Sequence, residues 1–238
     1  MKQLGLSLLC ALPALAQAQD TAPENWTFKL TPSVYSHRDA PNATDLNLRG
    51  NLGPHAVWAG QYQQAGFGEQ TRADYEFTAT PAWGQVVYSL QAAERGFAGG
   101  AVTAQVGQQV YGIVGWGRTN LQPYYNLNFD PNDAVTLGVG GWWGPQHQIS
   151  LTHTFDDRLH TEQRVTHLVW RYHPNPAHRL SLDLADKRGR SEAGGPWLQG
   201  SSLSLTWDWQ GHFVRVAVDQ KVNFSDDTQK RLSIGWRF

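Results

Sequence analysis

Residues 231–238 read RLSIGWRF, and polar and apolar side chains alternate strictly up to the final residue. The apolar set is Leu232, Ile234, Trp236 and Phe238, and the set between them is Arg231, Ser233, Gly235 and Arg237. A period of two predicts a β-strand with one apolar and one polar face. The rest of the sequence decides whether the apolar face packs in a protein core or contacts lipid.

The first eighteen residues have the features of a cleaved signal peptide. Lys2 is followed by the apolar run LGLSLLCALPALA, and Ala16-Gln17-Ala18 has the form of a cleavage site. The apolar run is too short to cross a bilayer as a helix. The single cysteine, Cys10, lies in this segment, so a mature chain of residues 19–238 would have no disulfide. We therefore expect an exported protein with residues 19–238 as one domain.

The composition narrows the class of protein. The formal net charge is −1, which gives no electrostatic footprint for nucleic acid. Mean hydropathy is negative, −0.48, although the chain has 11 Trp, 9 Phe and 8 Tyr. No stretch of about 20 apolar residues is present, which excludes transmembrane helices. A polar average with many aromatic residues fits strands with one lipid-facing side, and it also fits a secreted β-sandwich.

Alternating segments recur about fourteen times along the chain, and the connections between them alternate in length. One such segment is AVWAGQYQ, with the apolar residues Ala56, Trp58 and Tyr62. Tight connections fall near residues 53, 80, 107, 143, 173 and 210, and longer ones begin at Arg118, Asp186 and Lys221. A sandwich has no reason to sort its loops by length, whereas membrane barrels have short periplasmic turns and longer outer loops. The sequence predicts an all-β fold, a transmembrane antiparallel up-and-down β-barrel of about 14 strands, with 12 as the alternative.

Aromatic residues cluster near the tight connections and the carboxyl terminus. They are Trp26, Trp83, Trp143, Trp170, Tyr172, Trp207, Trp209, Trp236 and Phe238. Tryptophan and tyrosine concentrate where a membrane meets water, so this set is expected to form a girdle at one interface. With an even number of strands, both termini would lie at that same, periplasmic, end.

Together the leader, the strand pattern and the final aromatic residue resemble the Gram-negative outer-membrane β-barrel proteins, without pointing to a subfamily. The resemblance implies a bacterial outer-membrane location and a last strand that pairs with the first. It also implies that Leu232, Ile234, Trp236 and Phe238 form a signal read by the barrel-assembly machinery. Periplasmic chaperones and outer-membrane lipids would be the other partners, and a monomer is expected.

The phase of each strand assigns charged residues to the barrel interior. The basic set is Lys29, Arg49, Arg72, Arg171, Arg179, Arg215, Arg231 and Arg237, and the acidic set is Asp74, Glu76, Asp183, Asp208 and Asp219. The predicted pore-lining residues are Arg49, Arg72, Asp74, Glu76, Arg171, Asp183, Asp208 and Arg215. The mild basic excess favours a porin-like channel for hydrophilic solutes with a weak anion preference. The alternative is a lining of mutually paired charges that plugs a purely structural barrel.

Two further hypotheses concern chemistry in the interior. His167 on the tenth strand would face Thr152 or Ser150 on one side and Asp183 on the other, the order of a nucleophile–base–acid group. Ser202 and Ser204 lie too far along the wall to serve as well. This arrangement would suit an envelope enzyme acting on lipid or lipopolysaccharide.

The long loop offers Asp130, Asn132 and Asp133 as oxygen ligands for a hard cation. Turn chemistry explains the same residues without a metal, so neither metal nor cofactor is expected.

Overall fold

The computed structural model describes residues 25–126 and 130–238, so the predicted signal peptide lies outside the described residues. The described chain forms a closed antiparallel barrel of 14 strands, each paired to its neighbours in sequence. The strands are β1 Thr27–His37, β2 Ala43–Leu52, β3 His55–Gln64, β4 Gly68–Ala79, β5 Gly84–Ala93, β6 Phe97–Gly107, β7 Val110–Thr119, β8 Ala134–Trp143, β9 His147–Asp156, β10 Arg164–Asn175, β11 His178–Gly189, β12 Leu198–Trp209, β13 His212–Gln220 and β14 Thr228–Arg237. The barrel prediction is confirmed, with 14 strands and not 12.

The barrel closes where its last strand meets its first. β14 pairs with β1, and Phe28 and Phe238 exchange backbone N–H···O bonds of 2.7 and 2.9 Å. Their rings stack at 5.9 Å between centroids on the outside of the wall. The alternation in RLSIGWRF therefore belongs to the strand that removes the two free edges of the sheet.

The two ends of the barrel differ in their connections. At one end, here the tight-turn end, two to four residues join successive strands. Gly107 in one of these turns has φ 114°, and a Cβ there would lie 2.2 Å from the Val110 carbonyl oxygen, so the turn requires glycine. At the opposite, long-loop end, the connections include residues 120–133, 157–163, 190–197 and 221–227. The predicted sorting of loops by length is thus present.

The outer face of the wall is apolar and exposed. Leu232, Ile234 and Trp236 on β14 point outward, and similar exposed residues occur on the other strands. Outward-facing tryptophans crowd the tight-turn end, where Trp143 is 78% exposed and Trp207 contacts Trp209. Within the two described ranges, no helix is long and apolar enough to cross a membrane.

The pairing register defines the inner face, because directly opposed residues share a side of the sheet. Trp58 lies opposite Arg49 and Asp74, and Tyr62 lies opposite Asp45 and Gln70. The apolar set of the AVWAGQYQ segment therefore faces the lumen and not lipid. A polar lumen accommodates such residues where a loop covers them, and the fully buried Tyr62 is covered in this way.

Candidate functional site: a cationic lumen

The lumen contains a cavity of about 580 Å³ whose lining differs from one wall to the other. The basic residues of β1, β10, β11, β13 and β14 that line it are Lys29, Arg171, Arg179, Arg215, Arg231 and Arg237. The facing wall, from β6 to β9, supplies small uncharged residues: Gly99, Ala101, Thr103, Gly115, Gly117, Thr136 and Thr154. The small residues leave space, and the basic wall gives that space its charge.

Three of these cations surround one aromatic ring. Lys29 Nζ, Arg215 Cζ and Arg237 Cζ lie 5.6, 5.8 and 5.6 Å from the centroid of the Phe213 ring. The ring occupies the position where a side chain on Gly235 would stand, since a Cβ on Gly235 would lie 1.8 Å from it. A glycine facing an aromatic residue across a strand pair is a known packing arrangement in sheets. Cation–π contacts bring these like charges together at the tight-turn end of the cavity.

Neutral partners hold several of the basic groups. Arg215 Nε donates to Thr206 Oγ1 at 2.9 Å, and Arg171 donates to Gln148 Oε1 at 3.1 Å. Arg231 lies directly opposite Tyr35 on β1. These contacts orient the guanidinium groups without cancelling their charge. An anion entering the cavity would therefore meet positive charge in fixed positions.

The carboxylates of the same cavity are engaged. Asp208 forms ion pairs with Arg179, at 2.9 Å, and with Arg237. Asp183 and Asp130 both contact the His167 ring. The six basic residues of the wall thus outnumber three carboxylates, each of which already has a cationic or imidazole partner. Arg118, next to this cavity along β7, has the outward phase of Trp116: its guanidinium stacks on Trp116 at 4.6 Å and bonds Asp157 at 2.5 Å.

The predicted pore-lining residues divide into two groups. Arg171, Asp183, Asp208 and Arg215 line the cavity, whereas Arg49 and Arg72 form ion pairs with Glu76 and Asp45. Asp74 faces inward on β4, opposite Trp58 on β3 and Gln91 on β5.

Sequence reasoning missed Asp45, Lys187 and Phe213, which also face inward. Their positions could have been read from the strand phase, since Phe213 has the phase of Arg215, and Lys187 that of Asp183.

The structure forms only part of the proposed Thr152–His167–Asp183 triad. His167 Nδ1 lies 2.8 Å from Asp183 Oδ1, as expected, and Thr152 lies opposite His167 in the sheet. However, His167 Nε2 lies 3.1 Å from Asp130 Oδ1 of the long loop. Two carboxylates can each accept a bond from the ring only when both nitrogens carry hydrogen. A ring in that state cannot take a proton from Thr152.

The oxygen ligands suggested for a cation are directed to other partners. Asp130 contacts His167, while Asp133 accepts from the Thr119 backbone N–H at 3.1 Å and from Arg158 at 2.9 Å. Asn132 borders the lumen cavity. These contacts attach the loop of residues 120–133 to the barrel, which is a structural use of the same side chains.

The described part of that loop packs into the long-loop end. Tyr125 stacks on Tyr62 at 4.2 Å between centroids, and its backbone N–H donates to Gln70 Oε1 at 3.0 Å. Tyr124 stacks on Phe97 at 4.1 Å. Burial raises the pKa of Tyr124 and of Tyr125 above the ordinary value, so both stay neutral near pH 7.

A second loop, residues 221–227, also packs inward. Phe224 is buried against Val165 and Ala185, and Lys187 lies 5.9 Å from its ring. Lys187 forms an ion pair with Asp219 beneath this loop. The loop after β11, residues 190–197, stays at the rim instead, where Trp197 is 47% exposed and Arg190 bonds Glu162 at 3.2 Å.

The chain was compared with protein-family models, curated proteins and solved structures. No family model and no curated protein matches the chain. Among solved structures, the outer membrane protein Omp33 of Acinetobacter baumannii is similar with a TM-score of 0.56 and 11% identity, over 90% of this chain and 99% of that one. The chain has the fold of an outer-membrane β-barrel protein. Weaker likenesses are a porin variant of Rh. blastica (TM-score 0.49, 8% identity, 90% and 99% covered) and the KdgM porin in complex with disordered oligogalacturonate (TM-score 0.47, 6% identity, 88% and 99% covered). At these identities the likeness concerns the fold.

Proposed function

We propose that the protein is a monomeric channel of the bacterial outer membrane that passes small hydrophilic solutes and prefers anions. The observation that carries this proposal is the lumen cavity with its excess of basic side chains. A low-dielectric wall focuses the field of such groups into the space between them, and counter-ions concentrate there. A lining built only to plug the barrel would pair its charges with each other, as Arg72 and Asp45 do.

The orientation follows from the difference between the two ends. Outer-membrane barrels have short turns on the periplasmic side and longer loops outside. On that basis the tight-turn end and both termini lie in the periplasm, and the loop carrying Tyr124 and Tyr125 closes the outer mouth. Conduction then requires this loop to leave its place against Tyr62 and Phe97.

The test is the reversal potential of the reconstituted protein in a salt gradient. Arg171→Glu with Arg215→Glu changes the charge of the cavity wall by four, and we expect selectivity to move from anions toward cations. Arg49→Gln with Glu76→Gln is the matched control, because it removes an ion pair and leaves the net charge unchanged. Equal reversal potentials for wild type and the Arg171/Arg215 variant would exclude the charged-lumen proposal. A protein that stays silent after the 120–133 loop is shortened would exclude the channel itself.

Assembly forms the second part of the proposal. Leu232, Ile234, Trp236 and Phe238 would be read by the barrel-assembly machinery after delivery by periplasmic chaperones. Phe238 is 69% exposed and bonds the chain through its backbone, so its ring adds little to the finished fold. Phe238→Ala, which removes the ring and keeps both backbone bonds to Phe28, should lower the yield in the outer membrane while refolding in detergent stays close to that of wild type. Equal membrane yields would contradict the assembly role.

A further inference from the structure

Two arginines on the outer face of the barrel lie directly opposite each other in neighbouring strands. Arg164 on β10 pairs in register with Arg188 on β11, near the long-loop end, and both side chains are exposed. Directly opposed residues have Cβ atoms about 5 Å apart, and like charges in this position destabilise a sheet. A pairing of this kind needs a counter-charge from elsewhere.

The neighbouring carboxylates do not supply it. Glu162 bonds Arg190 at 3.2 Å and Asp157 bonds Arg118 at 2.5 Å. Asp186 lies one row further from the rim, opposite Thr166. Within residues 25–126 and 130–238, neither Arg164 nor Arg188 has a carboxylate oxygen within 4 Å.

The surface beside the arginine pair is apolar on the side away from the rim. Beyond the row of Thr166, Asp186 and Ser201 runs a strip of exposed residues in register across five strands: Leu151, Leu168, Leu184, Leu203 and Val218. A shallow groove follows this strip. At its far edge, Val218 lies opposite Lys230, an exposed cation on β14.

We propose that Arg164 and Arg188 bind the phosphate of a membrane lipid whose acyl chains lie in the groove along Leu168, Leu184 and Leu203. Two guanidinium groups about 5 Å apart at their bases can both donate to one phosphate, and charge-assisted bonds of this type are strong and directional. The vertical order also fits a lipid: the cations lie toward the rim and the apolar strip lies toward the middle of the wall. The inference rests on the proposed membrane location and not on conduction.

The experiment is native mass spectrometry of the detergent-solubilised barrel titrated with phosphatidic acid. We expect wild type to retain one phosphatidic acid and Arg164→Gln with Arg188→Gln to bind it at least tenfold more weakly. Diacylglycerol, which lacks the phosphate, should bind both proteins equally and weakly. Arg118→Gln is the matched control, because this outward arginine at the same end is already neutralised by Asp157, and its affinity should equal that of wild type.

The outcomes separate the possibilities. Equal affinity of wild type and the double variant for phosphatidic acid would overturn the proposal, and so would equal binding of diacylglycerol and phosphatidic acid by wild type. Displacement of the lipid by an equal concentration of inorganic phosphate would show an anion site that is not a lipid site. Heat-dependent gel migration verifies the fold, and Arg164→Lys with Arg188→Lys, which keeps the charge, should recover part of the affinity. The ion selectivity of the Arg164→Gln/Arg188→Gln variant should match that of wild type. Because the lipid-binding experiment does not depend on conduction, it remains valid even if the channel proposal fails.

Discussion

Basic residues near the two ends of the lumen have different kinds of partner. Near the tight-turn end, Lys29, Arg171 and Arg215 face open space and are held by aromatic or neutral groups. Toward the long loops, Lys187 forms a buried ion pair with Asp219 under a packed loop. The interior of a barrel is therefore not one environment. Lys29, Arg171 and Arg215 are available to a solute, whereas Lys187 serves the fold.

The packing of the lumen also differs between its two ends. Glycine, alanine and threonine on β6 to β9 leave the cavity opposite the basic wall. At the long-loop end, Tyr35, Tyr62 and Tyr125 form an aromatic cluster with Phe67. Since aromatic clusters exclude water, the ion pairs next to them are strongly coupled to folding. We expect substitutions at the long-loop end, here also called the closed end, to change stability. Substitutions at the tight-turn end, here also called the open end, should change ion selectivity.

The largest effect should come from breaking a buried pair at the closed end. Lys187 is 1% exposed and Asp219 is 3% exposed, so Lys187→Met leaves a buried carboxylate without its cation. Such a change typically costs about 3–5 kcal/mol. Urea unfolding of the refolded barrel, followed by tryptophan fluorescence, gives the difference in the free energy of unfolding.

Arg179→Gln is the comparison for the open end. Arg179 is more exposed, and Asp208 keeps its ion pair with Arg237 when Arg179 is removed. The expected loss is below about 1 kcal/mol. Losses of similar size for the two variants would contradict the division between a structural and a functional end.

A smaller effect is expected from opening the mouth. Tyr125→Ala removes the ring that stacks on Tyr62 and the hydroxyl that accepts from Gln229 at 3.3 Å. The loop should then leave the lumen more often, because an aromatic pair contributes about 0.5–1.5 kcal/mol beyond its buried area. Open probability in single-channel recordings should rise severalfold.

Trp197→Ala controls for this prediction, since Trp197 belongs to the rim loop that does not pack into the lumen. We expect its open probability to equal that of wild type. An unchanged open probability for Tyr125→Ala would show that the 120–133 loop does not govern entry.

The strands of this protein and the faces of their residues could be predicted because they depend on the local alternation of polar and apolar residues. Period two in RLSIGWRF and its counterparts assigns each residue to one face, and the register confirms most of these assignments, with Trp58 and Tyr62 as exceptions. Those two residues are apolar and face inward, so hydrophobicity alone misassigned the segment. Its correct phase depends on β2 and β4, where Arg49 and Arg72 lie opposite.

The ion pairs could not be predicted, because they depend on contacts beyond adjacent residues. Arg72 reaches Asp45 from β4 to β2 across β3, and this is possible because Gly60 of β3 lies between them with no side chain. The bond between Asp130 and His167 joins the loop between β7 and β8 to β10, a strand adjacent to neither of them. Sequence phase yields the faces of strands, but pairing between non-adjacent strands and the path of a loop require the folded barrel.

The smallest predicted effect concerns the tie between two loops at the closed end. Asp227 accepts backbone N–H bonds from Arg38 at 3.0 Å and Asp39 at 2.9 Å, and it contacts His37 Nδ1 at 2.6 Å. Burial alone would raise the pKa of Asp227, but the backbone bonds from Asp39 and Thr228 and the contact with His37 outweigh it and hold the pKa below its ordinary value. A lowered folded-state pKa gives stabilisation that is present above the unfolded pKa of about 4 and is lost as pH falls through the lower folded value. Asp227→Asn should therefore speed hydrogen exchange in residues 38–42 and 221–227 at neutral pH, and this difference from wild type should shrink below about pH 4. Asp226→Asn, at a fully exposed neighbour that bonds Lys221 at 2.7 Å, should change exchange little. A difference for Asp227→Asn that persists unchanged at low pH would mean that the carboxylate's charge does not hold the two loops together.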